Sequence, residues 1–367
     1  MRQPILDRQT LILPQVLEGT AAIVLMYYLV RRWFGPPAGP LAALFLAVTP
    51  VSVAMDRGTD TDSCLVLVLL LAAWALVGAV ERGSRGLLVV SAGLIGLGFN
   101  VKMIEAFGVL PSFAAVYLVG APTPWRRRLR DLALSGAVLL AVSVSWCLVY
   151  DLTPAASRPF VGSSTHNSML ELATIYNGID RFVPRASLSG ARVGEAGLAA
   201  QREAPAQGFR FMGTAPAGPL RLASPPLARE VEWLLPFAVP GLLPIGWRVR
   251  RNGPIDVATL GRLLWSGWAV AYAVVYSFAG GIFRPYYLLT LAPPMAALAG
   301  IGVVALWSRY RQSARSGLLL PAALAATAVW QFYLAHSNAA ARSGREVAPA
   351  DSSLGCFARR PAGSAPP

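Results

Sequence analysis

Apolar blocks of roughly 20 residues, parted by short arginine-rich connectors, run through almost the whole chain. About 20 residues at 1.5 Å rise per residue span the ~30 Å hydrocarbon core of a bilayer. In lipid, only a helix or a closed barrel satisfies its own backbone. These blocks are too long and too uniform for barrel strands, so the sequence predicts an all-α polytopic membrane protein. Charged residues make up 14% of the chain and mean hydropathy is +0.53, too little charge to wet the surface of a soluble domain of this length.

Ten apolar segments are expected, at about 10–30, 38–55, 63–80, 87–101, 103–119, 131–150, 232–247, 258–278, 286–307 and 316–335. Their connectors alternate in character. One set holds Arg31 and Arg32; Arg82 and Arg85; Arg126, Arg127, Arg128 and Arg130; Arg248, Arg250 and Arg251; and Arg309, Arg311 and Arg315. In the other set the short loops hold only Arg57, Lys102 and Arg284 as cations. The excess of arginine assigns the first set to the cytoplasm and the second to the outer face. The net charge of +14 is therefore topological, and no nucleic-acid partner is expected. Cys64, Cys147 and Cys356 lack metal-ligand spacing, and neither a metal nor a cofactor is expected. Walker loops, dinucleotide-binding glycine fingerprints and nucleophile elbows are also missing.

The domain organisation follows from these segments. Residues 1–150 form N-terminal spans with an outer acidic loop at 56–62. An extracytoplasmic stretch follows at 151–231, then C-terminal spans at 232–335 and a disordered tail at 336–367. In the long outer stretch, Ser168 followed three residues later by Glu171 reads as a capping box. It opens a short amphipathic helix with Leu170, Ala173 and Tyr176 on one face, expected to lie on the membrane surface. The second half of the stretch, from about Pro184 to Pro226, is rich in Gly, Ala and Pro and reads as irregular.

The outer connectors hold the candidate chemistry. Lys102 is the single lysine against 31 arginines and stands at the outer mouth of two segments. An ammonium there suits a lipid phosphate, or simply snorkels at a helix end. The loop Asp56–Asp62 packs three carboxylates and Arg57 into seven residues. Such carboxylates act as bases, orient hydroxyls, or merely stay solvated. Arg284 can fork onto phosphate oxygens, and Tyr286 and Tyr287 can cover a sugar or a prenyl chain; an interfacial aromatic belt is the plainer alternative.

Several of these stretches resemble the bacterial members of glycosyltransferase family 39, the family of protein O-mannosyltransferases and of the aminoarabinose transferase of lipid A. They include Leu13–Gly19, Arg31–Gly35, Thr49–Val53, Pro122–Arg128, Asp151–Pro154, Tyr176–Gly178, Trp233–Pro236 and Phe283–Tyr287. The resemblance implies a GT-C-like helical bundle with one long outer loop. It also implies inverting transfer of a sugar, mannose most commonly, from a polyprenyl-phosphate donor to an acceptor protein or glycan outside the cytoplasm of a bacterial cell. It assigns Lys102, Arg284, Tyr286 and Tyr287 to the lipid phosphate donor, and Asp56 and Asp62 to the catalytic centre, where they position sugar or acceptor. Asn100, His166 and Asn167 become sugar or acceptor contacts, although the family commonly has Asp where His166 stands. The family pattern Asn-Asn-Pro before the final Asp is here Thr59-Asp60-Thr61. Measured against the family, an upstream helix and a first outer loop carrying the general base are expected to be missing. Two other classes compete: a non-catalytic remnant, and a flippase or transporter of lipid-linked sugars. A transporter calls for ionisable residues inside the spans, where Glu18 is the nearest case.

Overall fold

The computed structural model describes residues 8–180, 216–242, 256–280, 283–312 and 317–346. Each expected apolar segment has a helical counterpart, and no strand occurs among the described residues. The helices are α1 Arg8–Phe34, α2 Ala38–Val48, α3 Pro50–Met55, α4 Asp62–Arg82, α5 Arg85–Lys102, α6 Leu110–Gly120 and α7 Trp125–Leu152. They continue with α8 Met169–Glu171, α9 Pro225–Val231, α10 Leu235–Leu242, α11 Val257–Phe278, α12 Ala292–Gln312 and α13 Leu319–Glu346. Two 3₁₀ segments, Met103–Val109 and Pro285–Leu291, lead into α6 and α12.

Among the described residues, six stretches are long and apolar enough to cross a membrane: Leu11–Phe34, Asp62–Arg82, Arg85–Gly120, Trp125–Leu152, Pro285–Gln312 and Leu319–Ser337. Arg85–Gly120 is a hairpin rather than one span. Gly83, just before α5, meets Pro122 and Thr123 just after α6, so both ends lie together. The return limb needs its 3₁₀ turn: seven residues at ~2.0 Å and eleven at ~1.5 Å reach about 30 Å, one hydrocarbon thickness. Ala38–Val48 is apolar but short. In α11, Arg262 and the tyrosines Tyr272 and Tyr276 hold hydropathy down over an otherwise apolar helix.

The connectors that hold Arg32, Arg85 and Arg127 gather at one end. Arg32 pairs with Glu81, whose carboxylate also accepts from Trp33 Nε1 at 2.8 Å. Arg85 and Arg127 both reach the buried Asp131, at 2.5 and 3.7 Å. The opposite end carries Asp62, Lys102 and the two 3₁₀ segments. α5 packs between α4 and α7, and α12 packs against α2 and α10. The α10–α12 crossing is close because both partners offer glycine: a Cβ on Gly302 would overlap the Phe237 carbonyl, and one on Gly241 the Leu298 carbonyl.

Proline chemistry explains why the two entry segments wind as 3₁₀. Pro111 has no N–H for the Phe107 carbonyl, which accepts from Leu110 instead. Pro293 and Pro294 likewise leave the carbonyls of Leu289 and Thr290 without i+4 donors. Ala292 supplies the first, and the indole of Trp268 the second, at 2.9 Å.

In the outer stretch the helix at 169–179 forms, but differently from the expected capping box. Ser168 Oγ accepts from Glu171 N at 3.2 Å. The Glu171 carboxylate turns instead to the N–H groups of Thr165 and His166, each at 3.0 Å. After Glu171 the helix widens to π winding over Leu172–Ile179 and rests on the segment Met103–Val109, with Ala173 buried and Ile175 and Ile179 exposed. Most of the stretch expected to be irregular lies outside the described residues. The last helix continues to Glu346, past the expected start of the tail at 336.

Candidate active site

Lys102 is the last residue of α5, where a cation complements the helix dipole. Asp62 opens α4, where a carboxylate does the same. The two side chains form an ion pair, with Asp62 almost fully buried. Immediately after Lys102 the chain reverses at Met103, a non-glycine residue at φ +50°. Such a backbone costs on the order of 1–3 kcal/mol and persists only where the surroundings enforce it. The 3₁₀ turn that follows aligns residues three apart. It brings Glu105 beneath Lys102, with Oε2 at 3.6 Å from Nζ.

Tyr286 and Tyr287, from the second 3₁₀ segment, close the other side. Lys102 Nζ lies 4.6 and 5.0 Å from their ring centroids, within cation–π range. Beneath them, Tyr276 OH donates to Glu105 Oε1 at 3.1 Å and shares a 2.6 Å hydrogen bond with Thr290 Oγ1. Tyr272 OH donates to the Glu105 carbonyl at 2.8 Å. Its ring crosses directly over Gly108, where any Cβ would overlap it.

A cavity of about 890 Å³ starts at this cluster and runs between the Met103–α6 limb and α11. Lys102, Glu105, Tyr286 and Asn177 line its head; Pro111, Ala115 and Leu263 line its apolar length. On the α11 side Val270 and Val274, one turn apart, are each about half exposed, so the cavity opens sideways along the bundle.

The expected site residues separate into two groups. Lys102, Asp62, Tyr286 and Tyr287 come together. Arg284 is exposed and does not line the cavity. Asn100 spends its amide on the carbonyls of Gly96, at 3.1 Å, and Val142, at 2.9 Å, and so ties α5 to α7. Asn167 closes the 159–167 loop through Val161 N and the Pro159 carbonyl, and the exposed His166 faces Glu171. Asp56 parts from Asp62: it nests against Gly19 of α1 and accepts from Ser63 Oγ at 2.7 Å. Burial pushes its carboxyl above the usual range; the Ser63 hydrogen bond opposes this and nearby Glu18 adds to it. Sequence reading missed Glu105, Tyr272, Tyr276 and Asn177 as site members. For Glu105 the three-residue spacing from Lys102 was the available signal. For the tyrosines, some 170 residues away, none was.

Residues 7–150 carry Asp56, Asp62, Lys102 and Glu105, and they match the family model described as dolichyl-phosphate-mannose-protein mannosyltransferase. This stretch resembles glycosyltransferase family 39. Two proteins of Bacillus subtilis strain 168, YycA and YkcB, are each 34% identical over 89% of the chain; both carry the provisional name of mannosyltransferase. The chain spans 56% and 55% of their lengths, about half of each. Among solved structures, ArnT from Cupriavidus metallidurans bound to undecaprenyl phosphate aligns with a TM-score of 0.53 at 22% identity, over 85% of this chain and 48% of that one. The likeness shows a shared GT-C membrane fold, and the chain is a multi-pass membrane protein of that class.

Proposed function

We propose that the chain transfers a sugar from a polyprenyl-phosphate donor to an acceptor on the extracytoplasmic side of a bacterial plasma membrane, with mannose as the sugar. The observation that carries this is the form of the cavity: a lone ammonium and carboxylates at its head, then an apolar length open to the side. A phosphate sits at such a head and an isoprenoid chain along such a wall. The family description and the names of the Bacillus relatives support mannose, and the lipid bound to the Cupriavidus protein supports the donor class.

On this reading Lys102 meets the phosphate and stabilises the charge that grows on it as the sugar departs. Tyr286 and Tyr287 flank it. Asp62 holds the ammonium in place until the phosphate arrives. The acceptor hydroxyl gives its proton to a base and attacks from the face opposite the phosphate as the anomeric C–O bond to the phosphate breaks, which inverts the anomeric carbon and releases the polyprenyl phosphate. The test is transfer of radiolabelled mannose from polyprenyl-phosphate mannose in membranes containing the chain. Lys102→Ala should reduce transfer by at least about a hundredfold. Wild-type transfer by that variant would refute the assignment.

A further inference from the structure

Arg221 lies in the outer stretch, just before α9, and none of the chemistry above uses it. It is 5% exposed, yet its hydrogen bonds go to carbonyls rather than to a carboxylate. Nη1 donates to the Tyr276 carbonyl at 3.2 Å and to the Ala279 carbonyl at 2.6 Å, and Nε is buried without a partner among the described residues. Burying a guanidinium without an acid is costly, so its position calls for a compensating role. Part of the answer is local. The last carbonyls of α11 have no helical donors, and a cation complements that end of the dipole.

The other part lies on the guanidinium's flat face. Its carbon sits 4.2 Å from the centroid of the Phe283 ring. Phe283 packs edge-on against Tyr276 and Tyr287, with centroids 5.7 and 6.0 Å apart. Tyr276 holds the Glu105 carboxylate, and Tyr287 faces the Lys102 ammonium. Tyr276, Ala279 and Phe283, the three residues that Arg221 touches here, all line the cavity. One planar group therefore fixes the end of α11 and, through Phe283, the aromatic wall around the cavity head. A lysine could reach a carbonyl but could not also stack.

We propose that Arg221 is a positioning residue for the head of the cavity, acting through the Phe283–Tyr276–Tyr287 wall; the kinetic part of this rests on the function proposed above. The experiment compares wild type, Arg221→Met, Arg221→Lys, Tyr276→Phe and the Arg221→Met/Tyr276→Phe double variant in lipid nanodiscs. Two quantities are read: amide hydrogen exchange over 283–291 without any ligand, and mannose transfer from polyprenyl-phosphate mannose. In Arg221→Met, exchange over 283–291 should quicken by about tenfold. Transfer at saturating donor should fall by about tenfold while the half-saturating donor concentration stays within about twofold. The double variant should lose no more than the worse single variant, because both act on one wall. Arg221→Lys should fall between wild type and Arg221→Met in both readouts, and it decides alone if Arg221→Met does not fold. Wild-type exchange over 283–291 in Arg221→Met or Arg221→Lys, or losses that multiply in the double variant, would overturn the inference. If the wild type transfers no mannose, the functional proposal falls and the exchange measurement still decides the role of Arg221.

Discussion

Lys102 is held between two carboxylates, Asp62 and Glu105, so with all three ionised the trio carries one net negative charge. A phosphate entering the cavity must share the ammonium with both. Removing the charge of Glu105 should therefore favour the phosphate. Even in a water-like dielectric, one like charge about 5 Å away is worth about 0.8 kcal/mol, so Glu105→Gln should bind undecaprenyl phosphate about fourfold tighter. A tryptophan-fluorescence titration in nanodiscs measures this; unchanged or weaker binding would contradict it. Asn100 makes the opposite case. Its amide is spent on two carbonyls, so Asn100→Ala should keep near-wild-type transfer and lose about 1 kcal/mol of stability, visible as a lower Tm in detergent. That Lys102 stands in the cluster could be suspected from its being the single lysine. Asn100 shares its neighbourhood in sequence, but two positions along a helix point to different faces, and its amide meets α7 instead. Glu171 supplies a pH handle outside the bilayer. Hydrogen bonds from the Thr165 side chain and from the N–H groups of Thr165 and His166 hold its carboxyl down at about 2. A depressed folded value means the contribution is complete above the unfolded value of about 4.3 and is lost as pH falls towards 2. Protection of the 165 and 166 amides, measured against their intrinsic exchange rates, should fall over that window in wild type and be low at every pH in Glu171→Gln.

Among the elements, the count of segments was readable and their winding was not. Hydropathy and arginine placement mark where helices begin and end, since both follow from the bilayer alone. The 3₁₀ turns depend on which carbonyls proline orphans and on which distant donor takes them over. For Thr290 that donor is Trp268, on another helix. The glycine contact between α10 and α12 was invisible for the same reason, because a glycine in an apolar run does not announce what approaches it. It makes a sharp prediction. Gly302→Ala forces a Cβ into the Phe237 carbonyl and should cost about 1–3 kcal/mol, read as a Tm several degrees lower, while Gly136→Ala, which meets open space inside α7, should leave the Tm unchanged or raise it.

At the scale of the molecule, the connectors of Arg32 and Arg85 at one end and the Lys102 cluster at the other define two faces. Single cysteines placed at Thr61 and Ser164 should react with an impermeant thiol reagent from outside the cell, and those at Ser84 and Thr123 only after permeabilisation. Labelling of Thr61 and Ser84 from the same side would end the topological reading. The halves that build the site are far apart in sequence: family 39 is matched over 7–150, whereas Tyr276, Tyr286 and Tyr287 come from the last third of the chain.

The side entrance beside Val270 and Val274 changes what concentration means for this protein. A ligand with a long isoprenoid tail reaches that entrance by diffusing within the leaflet and never crosses water. Its encounter rate then depends on its mole fraction among the surrounding lipids. Diluting a preparation with buffer should leave turnover per molecule unchanged, and diluting it with detergent or plain phospholipid should slow it.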